Sequence, residues 1–244
     1  MKRFLFALFC LTVSLTLVGI ISLRNRTLPA KVLPNEFITI DGTTRNYRIV
    51  LPDNLSKPAP LVIAFHGTGD SPESMAEYSQ LDRLATQNGF ILVYPAAQKS
   101  MWKTVNIAPE KLDENLDVRF FDALLSQLLA SYEIDSTRVY VAGMSNGASF
   151  VQMLMTVRSN KIAAAVAHSG SRPSDLGEIS KPCPTLLIVG ENDIALSAIQ
   201  ADAELYRNAD VPVQLIIVPN LGHQWSVPHN TEMWAFLSQC STKD

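Results

Sequence analysis

Six short, unbroken apolar runs mark this chain, and stretches with helical spacing separate most of them. They read LVIAFHG (61–67), FILVYPAA (90–97), RVYVAG (138–143), AAAVAHS (163–169), TLLIVG (185–190) and VQLIIVP (213–219). A strand with one wet face alternates apolar and polar residues, whereas a continuous run suits a strand covered on both faces. Ser71 as N-cap and Pro72 at the first helical position predict a helix running to Gly89. Val118, Phe121, Leu124, Leu125 and Leu128 predict another over 116–132, and further helices are expected at 145–158, at 197–208 and from about Asn230. NEFITIDGTTRNYRIVLP (35–52) reads as an antiparallel hairpin turning at Asp41-Gly42. The pattern predicts an α/β fold: a mostly parallel sheet of about eight strands with helices on both faces. In such sheets ligands gather at the carboxyl ends of the strands.

The first 30 residues are a separate object. A basic start, MKR, precedes the uncharged apolar run 4–23, the pattern of a signal peptide or a membrane anchor. It implies export, to the periplasm or outside the cell, or membrane association through residues 4–23. Residues 31–244 are expected to form one catalytic domain. They hold 16 basic against 23 acidic residues, a net charge of −7, which repels phosphate backbones and excludes nucleic acid as a partner. Cys183 and Cys240 are two cysteines outside the apolar run, to be read as a disulfide or as two buried thiols.

Chemistry collects at the strand ends. The run 138–143 leads into Gly143-Met144-Ser145-Asn146-Gly147, a G-x-S-x-G turn between strand and helix. Such a turn projects the serine hydroxyl above the sheet at a helix N-terminus, the form of a nucleophile elbow. A serine needs a base, and the chain has His66, His168, His223 and His229. In a sheet of this type the order is serine, acid, histidine. That order removes His66, and it counts against His168, because Asp175 and Glu178 both lie in a loop after it. His229 is explained by capping of the last helix. His223, in the loop after the last strand, is the expected base. Asp193 in VGENDIAL is the expected acid, with Glu191 its competitor. Backbone N–H groups of Asn146 and of Thr68, in the His66-Gly67-Thr68-Gly69 loop, are expected to form the oxyanion hole. Trp102 and Trp225 are candidate pocket walls, with ordinary packing as the alternative.

With these residues in place, the chain resembles the poly(3-hydroxybutyrate) depolymerase-like and feruloyl esterase-like group of α/β hydrolases. The resemblance covers about residues 38–240 and rests on RNYRIVLP, PLVIAFHG, FILVYP, DVRFFDALL, YEIDSTRVYVAGMSNGA and LGHQW. It implies Ser145 as nucleophile, His223 as base and Asp193 as acid, in agreement with the residue-level reading. Ala148 stands where the family often has glycine, the His-Gly-x-x-Asp-Pro acid loop is replaced by VGENDI, and YPAAQKSMW lacks the Asp-Gly usual after Tyr-Pro. The expected activity is ester hydrolysis through an acyl-enzyme, with a small or oligomeric ester as substrate and no metal or cofactor. Its rivals are a serine peptidase on the same sheet and a catalytically silent binding protein displayed at a membrane.

Overall fold

The computed structural model describes residues 29–177 and 183–242; the predicted signal or anchor segment 4–23 lies outside the described residues. A hairpin opens the fold, β1 (Ala30–Ile40) and β2 (Thr43–Pro52). Its turn residues Asp41 and Gly42 have φ of 52° and 76°, left-handed values that match the twist of the paired strands. β1 begins earlier than the run at 35 implied, because a register shift between Leu33 and Glu36 carries the strand past Pro34. Then follow β3 (Ala59–Phe65), β4 (Ile91–Pro95), β5 (Ile134–Met144), β6 (Ala164–His168), β7 (Thr185–Gly190) and β8 (Val213–Val218). The strands lie in one sheet in the order β1-β2-β4-β3-β5-β6-β7-β8. β2 pairs antiparallel with both β1 and β4, and every pairing from β4 to β8 is parallel.

Side-chain alternation divides the core. Along β3, Leu61, Ile63 and Phe65 face one layer while Val62 and Ala64 face the other. The first layer is closed by α3 (Leu116–Ser131), α4 (Asn146–Val157) and α5 (Leu196–Asn208), through residues such as Phe121, Phe150 and Ile199. The second is closed by α1 (Pro72–Ser79), α2 (Leu81–Asn88) and α6 (Asn230–Leu237), through Met75, Leu84 and Met233. With both sides covered, all seven residues of β3 are buried, as its unbroken apolar run requires.

One expectation is corrected here, and one open alternative is decided. The helix expected over 72–89 is two helices, broken at Gln80, whose φ is 54°. At about 100° per residue, an uninterrupted helix would turn Leu84 to the side opposite Met75. The left-handed residue resets the phase, so both side chains reach the same core layer. Cys183 and Cys240 are both free thiols. Cys183 is packed in the first core layer, and Cys240 Sγ lies 3.6 Å from Phe236 O.

Candidate active site

Five loops meet above the carboxyl ends of β3, β5, β6, β7 and β8. At the end of β5, Ser145 adopts φ 54° and ψ −119°, a costly conformation for a residue with a side chain. Its backbone N–H donates to His168 O at 2.9 Å, which ties the turn to β6. The chain then enters α4 at Asn146. Close packing of the turn demands Gly147, because a Cβ there would sit 2.1 Å from Phe65 O. Ser145 therefore stands at the N-terminus of α4, where aligned peptide dipoles favour negative charge.

The expected partners converge on it. His223 Nε2 lies 2.9 Å from Ser145 Oγ, and His223 Nδ1 lies 3.0 and 3.1 Å from the two Asp193 oxygens. The imidazole is exposed, while the Asp193 side chain is fully buried. Burial by itself would push the Asp193 carboxyl up. Hydrogen bonds from Ala195 N–H, the Ser169 hydroxyl and His223 outweigh it and hold the group below the ordinary carboxylate range. Glu191 is not at the imidazole: its Oε2 accepts from Asn220 N–H at 3.0 Å on the surface.

A cavity of about 460 Å³ opens over Ser145, lined by Gly67, Thr68, Asp70, Tyr78, His223 and Trp225 among others. Thr68 is exposed in the loop after β3. Asn146 is the first residue of α4, so its backbone N–H has no acceptor within the helix. Its side chain has a different task. Oδ1 accepts from Trp102 N–H at 2.7 Å, and Nδ2 donates to Trp102 O at 3.1 Å and to Thr104 Oγ1 at 2.8 Å.

Of the two tryptophans, only Trp225 lines the cavity. Trp102 is fully buried, stacked on Phe150 at 5.0 Å between centroids, with Nε1 donating to His66 O at 2.9 Å. Its expected place in a pocket wall is corrected: it buttresses the site from the core. The strand-end segment 101–104 is further held by Asp117 Oδ2, which accepts Lys103 N–H, and by Asn115 Nδ2, which donates to Lys103 O.

Two of the other histidines, His66 and His229, are held in structural contacts. His66 is buried, with Nδ1 2.7 Å from Gly67 O and Nε2 accepting Ala97 N–H, and burial lowers its pKa. His229 Nδ1 lies 2.6 Å from Ser226 Oγ. Sequence reasoning missed Tyr78 and Asp70. Tyr78 Oη is buried without a hydrogen-bond partner, in the cavity wall it shares with Asp70. Burial, and then the Asp70 charge, raise its pKa, so the phenol stays a donor. Helical spacing puts Tyr78 on α1, but no motif marks it.

A family model described as "Esterase PHB depolymerase" matches residues 46–181. The bifunctional acetylxylan esterase/xylanase of Neocallimastix patriciarum is 29% identical over 176 residues, covering 72% of this chain and 25% of that protein. Feruloyl esterase B of Neurospora crassa is 29% identical over 122 residues, covering 49% of this chain and 42% of the relative. This chain thus spans less than half the length of either. A fluorophosphonate-binding serine hydrolase of Staphylococcus aureus superposes with a TM-score of 0.71 at 14% identity, over 86% of this chain and 98% of that one. At that identity the likeness is one of fold, the α/β-hydrolase fold. The family match takes in more than half of the chain, from β2 through the Ser145 turn and beyond β6, and on that match the chain belongs to the PHB depolymerase esterase family.

Proposed function

We propose that this protein is a serine esterase that hydrolyses carboxylic esters through an acyl-enzyme on Ser145. The observation that carries the reading is the unbroken contact from Ser145 Oγ to His223 Nε2 and from His223 Nδ1 to Asp193. His223 takes the serine proton as the hydroxyl attacks the ester carbonyl, and the buried Asp193 carboxylate stabilises the imidazolium. The backbone N–H groups of Thr68 and Asn146 receive the tetrahedral oxyanion. The imidazolium then protonates the departing alcohol, and a water activated by the same histidine releases the acid.

Membership in an esterase family supports an ester as the scissile bond. Relatives named as acetylxylan and feruloyl esterases support a short acyl or hydroxycinnamoyl group, with hydroxyalkanoate esters alongside. Trp225 and Tyr78 would contact the group bound over Ser145. The basic start and apolar run 4–23 support an exported enzyme, freed or anchored by that segment.

Fluorophosphonate labelling tests the reading most directly. Residues 31–244 are expected to be labelled, and Ser145→Ala is expected to abolish labelling together with turnover of p-nitrophenyl acetate. Labelling that persists in Ser145→Ala would move the nucleophile elsewhere. A labelled protein that cleaves peptides but no member of a panel of acetyl, butyryl, feruloyl and hydroxybutyrate esters would replace esterase by peptidase. A protein neither labelled nor active would be a silent binding protein.

A further inference from the structure

His168 was set aside as a base, yet it occupies the middle of the site. β6 lies between the strand that carries Ser145 and the strand that leads to Asp193, with His168 paired to Met144 on one side and to Ile188 on the other. Its carbonyl accepts Ser145 N–H, and the next residue, Ser169, donates its N–H to Ile188 O at 2.8 Å. Both side chains are sealed from solvent, His168 at 0% and Ser169 at 1% exposure. Neither takes part in the mechanism above.

The hydrogen bonds fix the direction of the protons. Ser226 N–H, three residues after His223, donates to His168 Nε2 at 2.9 Å. A backbone N–H can only donate, so Nε2 is the acceptor and the ring proton sits on Nδ1. Nδ1 lies 3.1 Å from Ser169 Oγ and donates to it. That leaves the Ser169 hydroxyl proton unused, at the end of the strand between those that carry Ser145 and lead to Asp193, and the Ser169 side chain lowers the Asp193 pKa. The imidazole also stacks on Trp225 at 4.9 Å and 21°, in the loop that carries His223.

We infer that His168 and Ser169 are positioning residues of the active site, a second polar layer that fixes the Asp193 carboxylate and the His223 loop through one directed chain of hydrogen bonds. The chain runs Ser226 N–H to His168, His168 to Ser169, and Ser169 to Asp193, and it meets the His223–Ser145 relay at the carboxylate. The inference rests on the esterase reading of Ser145, His223 and Asp193. The backbone supports it as well. Ser169 is held at φ 58°, where glycine would be relaxed and serine is strained. A hydroxyl kept at such a position has a use. Burial lowers the His168 pKa to about 3, against a smaller opposing pull from Asp193 and minor contributions from His229 and His223, so the ring stays neutral at neutral pH.

The decisive variant is Ser169→Gly, because it relieves the backbone while deleting the hydroxyl. If the hydroxyl served only the fold, this change would lower the melting temperature and leave kcat and the acid limb unchanged. We expect the melting temperature to stay within about 3 °C of the unmodified protein or to rise. We expect kcat for p-nitrophenyl acetate to fall about tenfold with KM within about twofold, since a hydrogen bond to an ionised group is lost. The acid limb of the kcat/KM profile should move to higher pH by about half a unit, because the carboxylate, short of one donor, binds the imidazolium more strongly. His168→Phe, which keeps a ring against Trp225, should lower kcat in the same direction. A folded Ser169→Gly with the kcat and acid limb of the unmodified protein overturns the inference. So does one that melts more than about 10 °C lower, which would make the bond a matter of stability. Fluorophosphonate labelling separates the two levels. An unmodified protein that is not labelled ends the esterase reading and this inference together, whereas equal labelling rates in the unmodified protein and in Ser169→Gly end the inference alone.

Discussion

Residues 191 and 193 lie two apart in one loop, both acidic, and the sequence leaves either able to serve His223. Burial separates them. Asp193 has a fully buried side chain held by three donors, while Glu191 is exposed and accepts a backbone N–H from the neighbouring loop. Asp193→Asn replaces an acceptor-only group with one that can donate to His223 Nδ1, favouring the wrong tautomer, so kcat should fall by about 10³- to 10⁴-fold. Glu191→Gln should stay within about threefold of the unmodified protein, because an exposed amide oxygen can still accept the Asn220 N–H. Esterase kinetics on the pair decide the matter, and a larger loss in Glu191→Gln would reverse the assignment. Asn146 carries a second expectation at this scale. Its backbone N–H is proposed for the oxyanion, yet its side chain clamps Trp102 and Thr104. Asn146→Ala leaves the Trp102 N–H without that acceptor and should cost about 2 kcal/mol in a denaturant titration.

Whole elements were legible where one physical signal set them. Each of the six apolar runs became a strand: those of β3 to β7 are covered on both faces, as continuous runs require, while the edge strand β8 is apolar but partly exposed. The convergence of Ser145, Asp193 and His223 was legible for a related reason. The elbow has a sequence form, and its partners must follow in order at strand ends. What was hidden depended on which way a side chain points. Trp102 in a polar loop gives no sign that it turns inward, and no glycine or proline stands at Gln80 to announce the helix break. Tyr78 and the His168–Ser169 chain exist only once distant elements pack. The break is testable at the scale of the element. Gln80 holds a left-handed conformation that costs a non-glycine residue about 1 kcal/mol or more, and its side chain is exposed. Gln80→Gly removes that strain, less the entropy that glycine adds to the unfolded chain. It should raise the melting temperature by about 1–3 °C. A lower melting temperature would mean that the Gln80 side chain makes contacts worth more than the strain.

Over the whole molecule, the buried histidines tie the site to the response of the fold to acid. Burial lowers the pKa of His168 to about 3 from the ordinary imidazole value of 6.5, and shifts that of His66 in the same direction. Above about pH 6.5 both rings are neutral whether the chain is folded or not, and their burial carries no titration penalty. As pH falls below that value, the unfolded chain binds a proton at each ring that the folded chain refuses. Unfolding therefore gains up to about 1.4 kcal/mol per pH unit for each such ring, and stability is lost from pH 6.5 downward until the folded pKa is reached. Asp122, Asp135 and Asp193 are held below the carboxylate value of 3.8, so their contributions vanish only in stronger acid; in the window from pH 6.5 to about 4.5 the two histidines dominate, offset in part by Asp202, whose carboxyl burial raises. Denaturant titrations across that window should show the unmodified protein losing stability steadily. His168→Phe should start lower at pH 7, having lost its hydrogen bonds, but its decline should be shallower by roughly one proton's slope, about 1.4 kcal/mol per pH unit. Parallel declines would mean that His168 takes up a proton in the folded state, and the layer beneath the Asp193 carboxylate would then be open to water.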